Sequence, residues 1–416
     1  MTATVNKNIP EAYKQTEIGM IPEDWEIRKC VELGSFYKGK GISSRDLVSD
    51  GLPCIMYGDI YVKFDTKFSN PDFRITEQTA AKSSLAKEGD LFFTGSGETA
   101  EEIGKCIVYQ GKEDIYIGGD IIALTPNSSV DSLFLAYIQN SEMLLSQKAN
   151  LGQGYTVVHI YTENIKSLKV PLPPTKKEQT AIATTLSDVD EVIEKLEKLI
   201  EKKKNIKKGI MQELLTGIRR LPGFSDRWEI RKLGNIFRVT RGQVLAMTRT
   251  TEERIGEYHY PVYSSQTKNN GLAGYYKDYL FENCITWTTD GANAGDVKYR
   301  AGKFYCTNVC GVLENKEGYS NLCVAEIFNS ISKKYVSYVG NPKLMNNVVA
   351  DIEVLIPSSI KEQNVLALII SDMDSEIEKL ESQLLKYKNI KQGMMQNLLT
   401  GKIRLLKKQY GDTTNE

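Results

Sequence analysis

The sequence predicts an α+β chain in which two similar strand-rich α/β domains alternate with two long helices, related by a pseudo-twofold internal repeat. Three observations predict it: a duplicated segment at the helix ends, an apolar stripe of coiled-coil spacing inside each helix, and alternating apolar residues leading into both helices.

The repeat comes first because it divides the chain. Residues 204–217 read KNIKKGIMQELLTG and residues 388–401 read KNIKQGMMQNLLTG, an offset of 184. The same offset carries Lys177-Glu178-Gln179 onto Lys361-Glu362-Gln363 and Ser187-Asp188 onto Ser371-Asp372. WEIRK recurs at 25–29 and 228–232 with an offset of 203, so the material between the matched ends differs in length. The plan is an N-terminal arm over 1–29, a domain over 30–174, a helix within 175–217 and a linker over 218–232. A second domain occupies 233–358, then come a second helix within 359–401 and a basic, polar tail over 402–416.

Each helix has start and stop signals. Thr175 with Glu178, and Ser359 with Glu362, have capping-box spacing just after Pro174 and Pro357, while Gly217 and Gly401 follow the last apolar residues. Inside, Ile182, Leu186, Val189, Ile193, Leu196 and Ile200 alternate spacings of four and three, and Leu366, Ile370, Met373, Ile377, Leu380 and Leu384 repeat them in phase. A helix of some forty residues is roughly 60 Å long, more than one core requires, which favours a spacer over an ordinary core pair. Lys202, Lys203, Lys204, Lys207 and Lys208 read as a solvated face.

The domains read as strand-rich. Leu168, Val170 and Leu172, and likewise Ile352, Val354 and Ile356, alternate with other residues and predict a strand before each helix. GDLFFTGSG at 89–97 resembles ENCITWTTDG at 282–291, with Thr94, Ser96 and Gly97 at one offset from Thr288, Asp290 and Gly291. The two domains are distant relatives of each other.

Composition excludes several classes. A chain of 416 residues, 41% hydrophobic and 25% charged, supports two or three cores and is not disordered. No apolar run approaches a membrane span and the N-terminus lacks a signal core, so a cytoplasmic protein is expected. Seven cysteines without a secretion signal are expected to be reduced and buried, and two histidines give little from which to build a zinc site. Net charge is zero, so nucleic-acid binding would rest on local patches: residues 30–168 hold 12 basic and 18 acidic residues, and residues 233–352 hold 13 and 11. Thr99 through Cys106 lacks the first glycine and the final hydroxyl of a P-loop, and no Asn-Pro-Pro-aromatic tetrapeptide occurs.

The openings IGMIPEDWEIRK (18–29) and LPGFSDRWEIRKLG (221–234), the ends VPLPPTKKEQ (170–179) and VLIPSSIKEQ (354–363), and the two LLTG helix ends together resemble the specificity subunits of type I restriction and modification systems. The resemblance implies that residues 30–168 and 233–352 are target recognition domains. It further implies that the two helices form an antiparallel coiled coil that spaces the domains and docks methyltransferase subunits. The expected partners are double-stranded DNA, two methyltransferase subunits and restriction/translocase subunits. S-adenosylmethionine would be bound by the methyltransferase, with no cofactor on this chain and no catalysis by it. The target would be an asymmetric bipartite site, each half read through base edges, with the helix length bounding domain separation near about 18 base pairs.

Candidate DNA contacts are suggested by side-chain chemistry. Gln266, Lys268, Asn269 and Asn270 lie in a polar segment before Gly271, and amides pair bidentately with adenine as lysine does with guanine, although a plain turn has the same composition. Arg238, Arg241 and Gln243 occupy the place where the first domain has Lys38 and Lys40 among glycines, a pattern that suits phosphate but also any surface loop. Thr94, Lys105, Thr288 and Lys298 lie near the glycine turns, and Tyr155 could stack or pack. His159 and His259 read as structural. The rival readings are a coiled-coil adaptor whose domains bind protein, and a self-contained nuclease or methyltransferase.

Overall fold

In a computed structural model, which describes residues 12–154, 156–265 and 268–405, the chain divides into two compact units. The first comprises residues 1–195 with 384–416, and the second residues 196–383. The long helices Lys176–Leu214 and Ile360–Leu398 each contribute one half to either unit.

The first unit is built on a five-stranded sheet in the order Gly34–Lys38, Ile121–Pro126, Leu91–Thr94, Cys106–Tyr109, Lys67–Phe68. All its pairings are antiparallel except the last, which is parallel. The apolar run Leu91-Phe92-Phe93 is continuous because both faces are covered. Leu91 and Phe93 pack towards the helix Ser132–Gln139 and the long helices, whereas Phe92 faces a second group with Ile115 and Ile117. Those last two belong to a further five-stranded sheet, of order Leu47–Val48, Phe73–Ile75, Leu52–Ile55, Ile115–Ile117, Ser84–Ala86.

The second unit has one six-stranded sheet, Arg238–Arg241, Cys310–Glu314, Phe281–Thr288, Val297–Cys306, Tyr260–Tyr263, Leu272–Tyr276. Its first five strands repeat the order of the first unit's main sheet, including the parallel pairing of the fifth strand. The kinship inferred from GDLFFTGSG and ENCITWTTDG is thus a shared topology. Beyond the parallel strand the units diverge, the first adding a second sheet and the second a hairpin extension.

The duplicated motifs owe their similarity to pairing with one another. Glu26–Lys29 pairs antiparallel with Lys169–Leu172, and Trp228–Lys232 with Glu353–Pro357, so each domain's opening and closing strands zip together at its junction with a helix. The arm and the linker therefore carry strands rather than plain connections.

At the first helix start the expected capping box is half formed. Thr175 Oγ1 accepts from the Glu178 amide at 3.3 Å, but the buried Glu178 carboxylate turns away to pair with Arg404 at 2.8 Å. In the second unit Arg220 donates twice to the buried Glu362, at 3.0 and 2.9 Å. The arginine that follows each helix end thus clasps the glutamate that opens the other helix. Gly217 (φ +70°) and Gly401 (φ +69°) make these turns; a Cβ on Gly401 would meet Pro22 Cγ at 2.4 Å, and one on Gly217 the Trp228 ring at 3.3 Å.

Within each unit the helix halves run antiparallel. Lys203 pairs with Glu376 and Lys204 with Glu381, both at 2.6 Å, and Lys207 pairs with Asp374. In the first unit Lys391 contacts Asp190 at 2.7 Å, the same pairing shifted by the repeat. The lysine run is therefore not simply a solvated face, since three of its members pair with acids of the facing helix. Every residue of the expected seam is at least partly buried. Its ends do more than face a partner helix: Ile182 and Leu186 join the first unit's core, and Leu366 and Ile370 the second's.

All seven cysteines are buried and free, and no described helix is long and apolar enough to cross a membrane. Among the described residues no cluster of His, Cys, Asp or Glu could hold a metal ion.

Candidate nucleic-acid interface

The strand ends Thr94 and Thr288 occupy equivalent places, each closing the central strand of its main sheet. Thr94 is fully buried and its hydroxyl lies 2.7 Å from that of Tyr61, which in turn donates to the Ser96 carbonyl at 3.0 Å. Its position supports the glycine turn from beneath, not a base contact. Thr288 is likewise buried. Lys105 is drawn inward, its ammonium donating to the Phe64 carbonyl at 2.5 Å, and desolvation pushes its pKa down. Only Lys298 of these four is exposed. A threonine beside a glycine reads the same in sequence whether it points in or out.

The basic strand ends are surface features. Lys38, at the end of Gly34–Lys38, and Lys40 are exposed. So are Arg238, Arg241 and Gln243 at the matching place in the second unit. Arg238 pairs with the half-buried Glu314 at 3.2 Å, which reduces its availability.

The segment 264–271 connects two strands of the second unit. Gln266 lies outside the described residues, as does Tyr155 of the first unit, and the Lys268 side chain is likewise not described. Asn269 (φ 50°) and Asn270 (φ 56°) are exposed and left-handed, a conformation asparagine tolerates better than most residues. What holds this turn is a residue the sequence did not single out. Arg300 is buried on the neighbouring strand, stacks over the Tyr263 ring at 3.8 Å and donates to the Asn270 carbonyl at 2.8 Å and to Thr286 Oγ1 at 3.2 Å. Burial pushes its pKa down. Its signal was faint, because in Val297-Lys298-Tyr299-Arg300 it shares the polar phase of the alternation with the exposed Lys298.

Other polar anchors position the recognition scaffold. Lys148 is fully buried, donating to the carbonyls of Gly104 and Gln139 at 2.7 Å each, and burial lowers its pKa to about 8. His159 is a satisfied strand histidine, its Nδ1 3.0 Å from Ser96 Oγ, and His259 is exposed beside Tyr260.

Comparison with known proteins agrees with this architecture. The family described as type I restriction modification DNA specificity domain matches twice, over residues 22–208 and 225–387. A Methanocaldococcus jannaschii protein named as a type I restriction enzyme specificity subunit is 28% identical, covering 95% of this chain and 97% of its own. The Mycoplasma pneumoniae MpnII specificity subunit is 30% identical over 187 residues, 41% of this chain and 55% of its own. Among solved structures, the type I restriction-modification S subunit of M. genitalium aligns with a TM-score of 0.65 at 19% identity, over 95% of this chain and 98% of that one.

Proposed function

The chain belongs to the type I restriction-modification DNA specificity family, as a non-catalytic subunit with two recognition domains, and from that premise we propose that it reads an asymmetric bipartite target, one half-site per domain. In this reading it also positions adenine methyltransferase and restriction subunits, and S-adenosylmethionine is held by the methyltransferase. The observation that carries the proposal is one five-stranded topology present twice with different surface loops. A shared scaffold places two reading surfaces in the same way, and unlike loops give them unlike base preferences. The exposed basic strand ends, Lys38 and Lys40 in one unit and Arg241 in the other, suit phosphate, which sets register without specifying sequence. Asn269 and Asn270, held by Arg300, suit base edges. The antiparallel helix halves offer the spacer.

The test is methylome sequencing of a host expressing this chain with its cognate methyltransferase. A single bipartite methyl-adenine motif is expected. Absence of any such motif refutes the reading and favours the protein-binding adaptor, whereas modification by the isolated chain would require catalytic machinery of its own.

A further inference from the structure

Each recognition domain carries a short hairpin that the repeat alone did not expose. Gln153 and His159 exchange both backbone hydrogen bonds, at 2.9 and 2.8 Å, and Ser337 and Lys343 do the same at 2.8 and 2.9 Å. The offset is again 184. The next residue is bound alike in both: Ile160 N donates to Gly95 O, and Leu344 N to Thr289 O, each at 2.9 Å. The hairpins share almost no side-chain identity, so the backbone reveals what the letters conceal.

In the second unit the hairpin is firmly rooted and bare at its tip. Val336 and Leu344 are buried on either side, Trp287 Nε1 donates to the Leu344 carbonyl at 3.0 Å, and Gly291 N to Pro342 O at 2.9 Å. Beyond those roots Tyr338 is 67% and Val339 93% exposed. An aromatic and a branched apolar side chain held in water on a rigid support have nothing to gain from folding. Residues 333–343 also hold three lysines and no acid; Lys333 pairs with Asp296 at 2.5 Å and Lys343 lies 3.8 Å from Asp290, while Lys334 is exposed. An apolar tip on a segment that carries the exposed Lys334 suits duplex DNA, where the lysine meets phosphate and the tip meets bases.

We propose that hairpin 337–343 is the probe that enters the DNA at the second domain's half-site, with Tyr338 and Val339 touching bases. The inference rests on the reading of the chain as a DNA-recognition subunit and names where that reading is done.

The test uses the full chain assembled with its methyltransferase, carrying Tyr338→Ser and Val339→Ser together, with Tyr338→Phe as the conservative control. Assembly is followed by sedimentation, affinity for a duplex bearing the wild-type motif by fluorescence anisotropy, and sequence preference by methylome. The double variant is expected to assemble and melt as the wild type does, since both side chains are exposed. It should bind the duplex at least about tenfold more weakly, within the range for loss of a base–aromatic contact, and tolerate base changes in one half-site only. Tyr338→Phe should retain affinity. Unchanged affinity and motif overturn the proposal, and so does loss of methyltransferase assembly, which would mark the tip as a protein dock. If the wild-type complex itself methylates no bipartite motif, the underlying reading fails first, and the two failures are thereby told apart.

Discussion

Lys148 places an ammonium in a fully buried site against two carbonyl oxygens, and its pKa falls to about 8. In the unfolded chain a lysine titrates near 10.4, so between these values the unfolded state binds more protons and stability rises with pH. Thiols buried in the same unit work in the opposite sense, because burial pushes their pKa values up. The informative quantity is therefore a difference. Urea denaturation at pH 7.5 and 9.5 should show the stability of the wild type relative to Lys148→Met rising over this interval; identical pH slopes would disprove it. Arg220 supports a second prediction. Removing it leaves the buried Glu362 carboxylate without its bidentate partner, and Arg220→Ala should cost about 3 kcal/mol in denaturant unfolding. Arg220→Lys should recover only part of that, because an ammonium cannot reproduce the fork. At this scale the sequence was half legible. Glu178 and Glu362 were found as helix openers, which is local information, but their arginines lie 226 and 142 residues away along the chain. Thr94 and Lys105 stand among the candidate DNA contacts, yet both turn inward, because a short polar motif beside glycine does not say which way it faces.

The long helices were the most legible elements, since their caps and apolar stripes are encoded within a few residues. Their observed bounds, Lys176–Leu214 and Ile360–Leu398, fall within three residues of the expected 175–217 and 359–401. The sheets were not legible in the same way: the parallel pairing of Lys67–Phe68 with Cys106–Tyr109 joins segments far apart in sequence, and nothing local announces it. Only its duplication in the second unit makes it more than an isolated detail. The helices also yield a prediction specific to the proposed spacer. Adding one heptad to each near residues 195 and 384 keeps the four-three spacing in phase and lengthens the pair by about 10.5 Å. At about 3.4 Å per base pair the methylated motif should gain a gap of about three base pairs with both half-sites unchanged. A changed half-site, or an unchanged gap, would refute the ruler.

Across the whole molecule, the four paired strands at the domain junctions decide what can be exchanged. Trp228–Lys232 zips to Glu353–Pro357, with Arg231 opposite Val354 and Lys232 opposite Glu353. Residues 233–352 therefore begin and end at neighbouring points of one two-stranded pair, and the Leu233 amide donates to the Ile352 carbonyl at 2.9 Å across that boundary. A graft cut there leaves the strand pair, the Arg220–Glu362 clasp and both helices as they are. The grafted domain must supply apolar residues for the interface now filled by Leu233, Val349 and Ile352, which meet Leu366 and Ile370 in one core. Replacing 233–352 with the corresponding segment of a relative should accordingly change one half-site of the methylated motif, leaving the other half-site and the gap untouched. Because the hairpin at 337–343 travels with the graft, the new half-site should be the donor's complete half-site rather than a hybrid. Change in both half-sites would mean that the two domains read jointly, and the duplicated topology would then serve assembly instead of independent recognition.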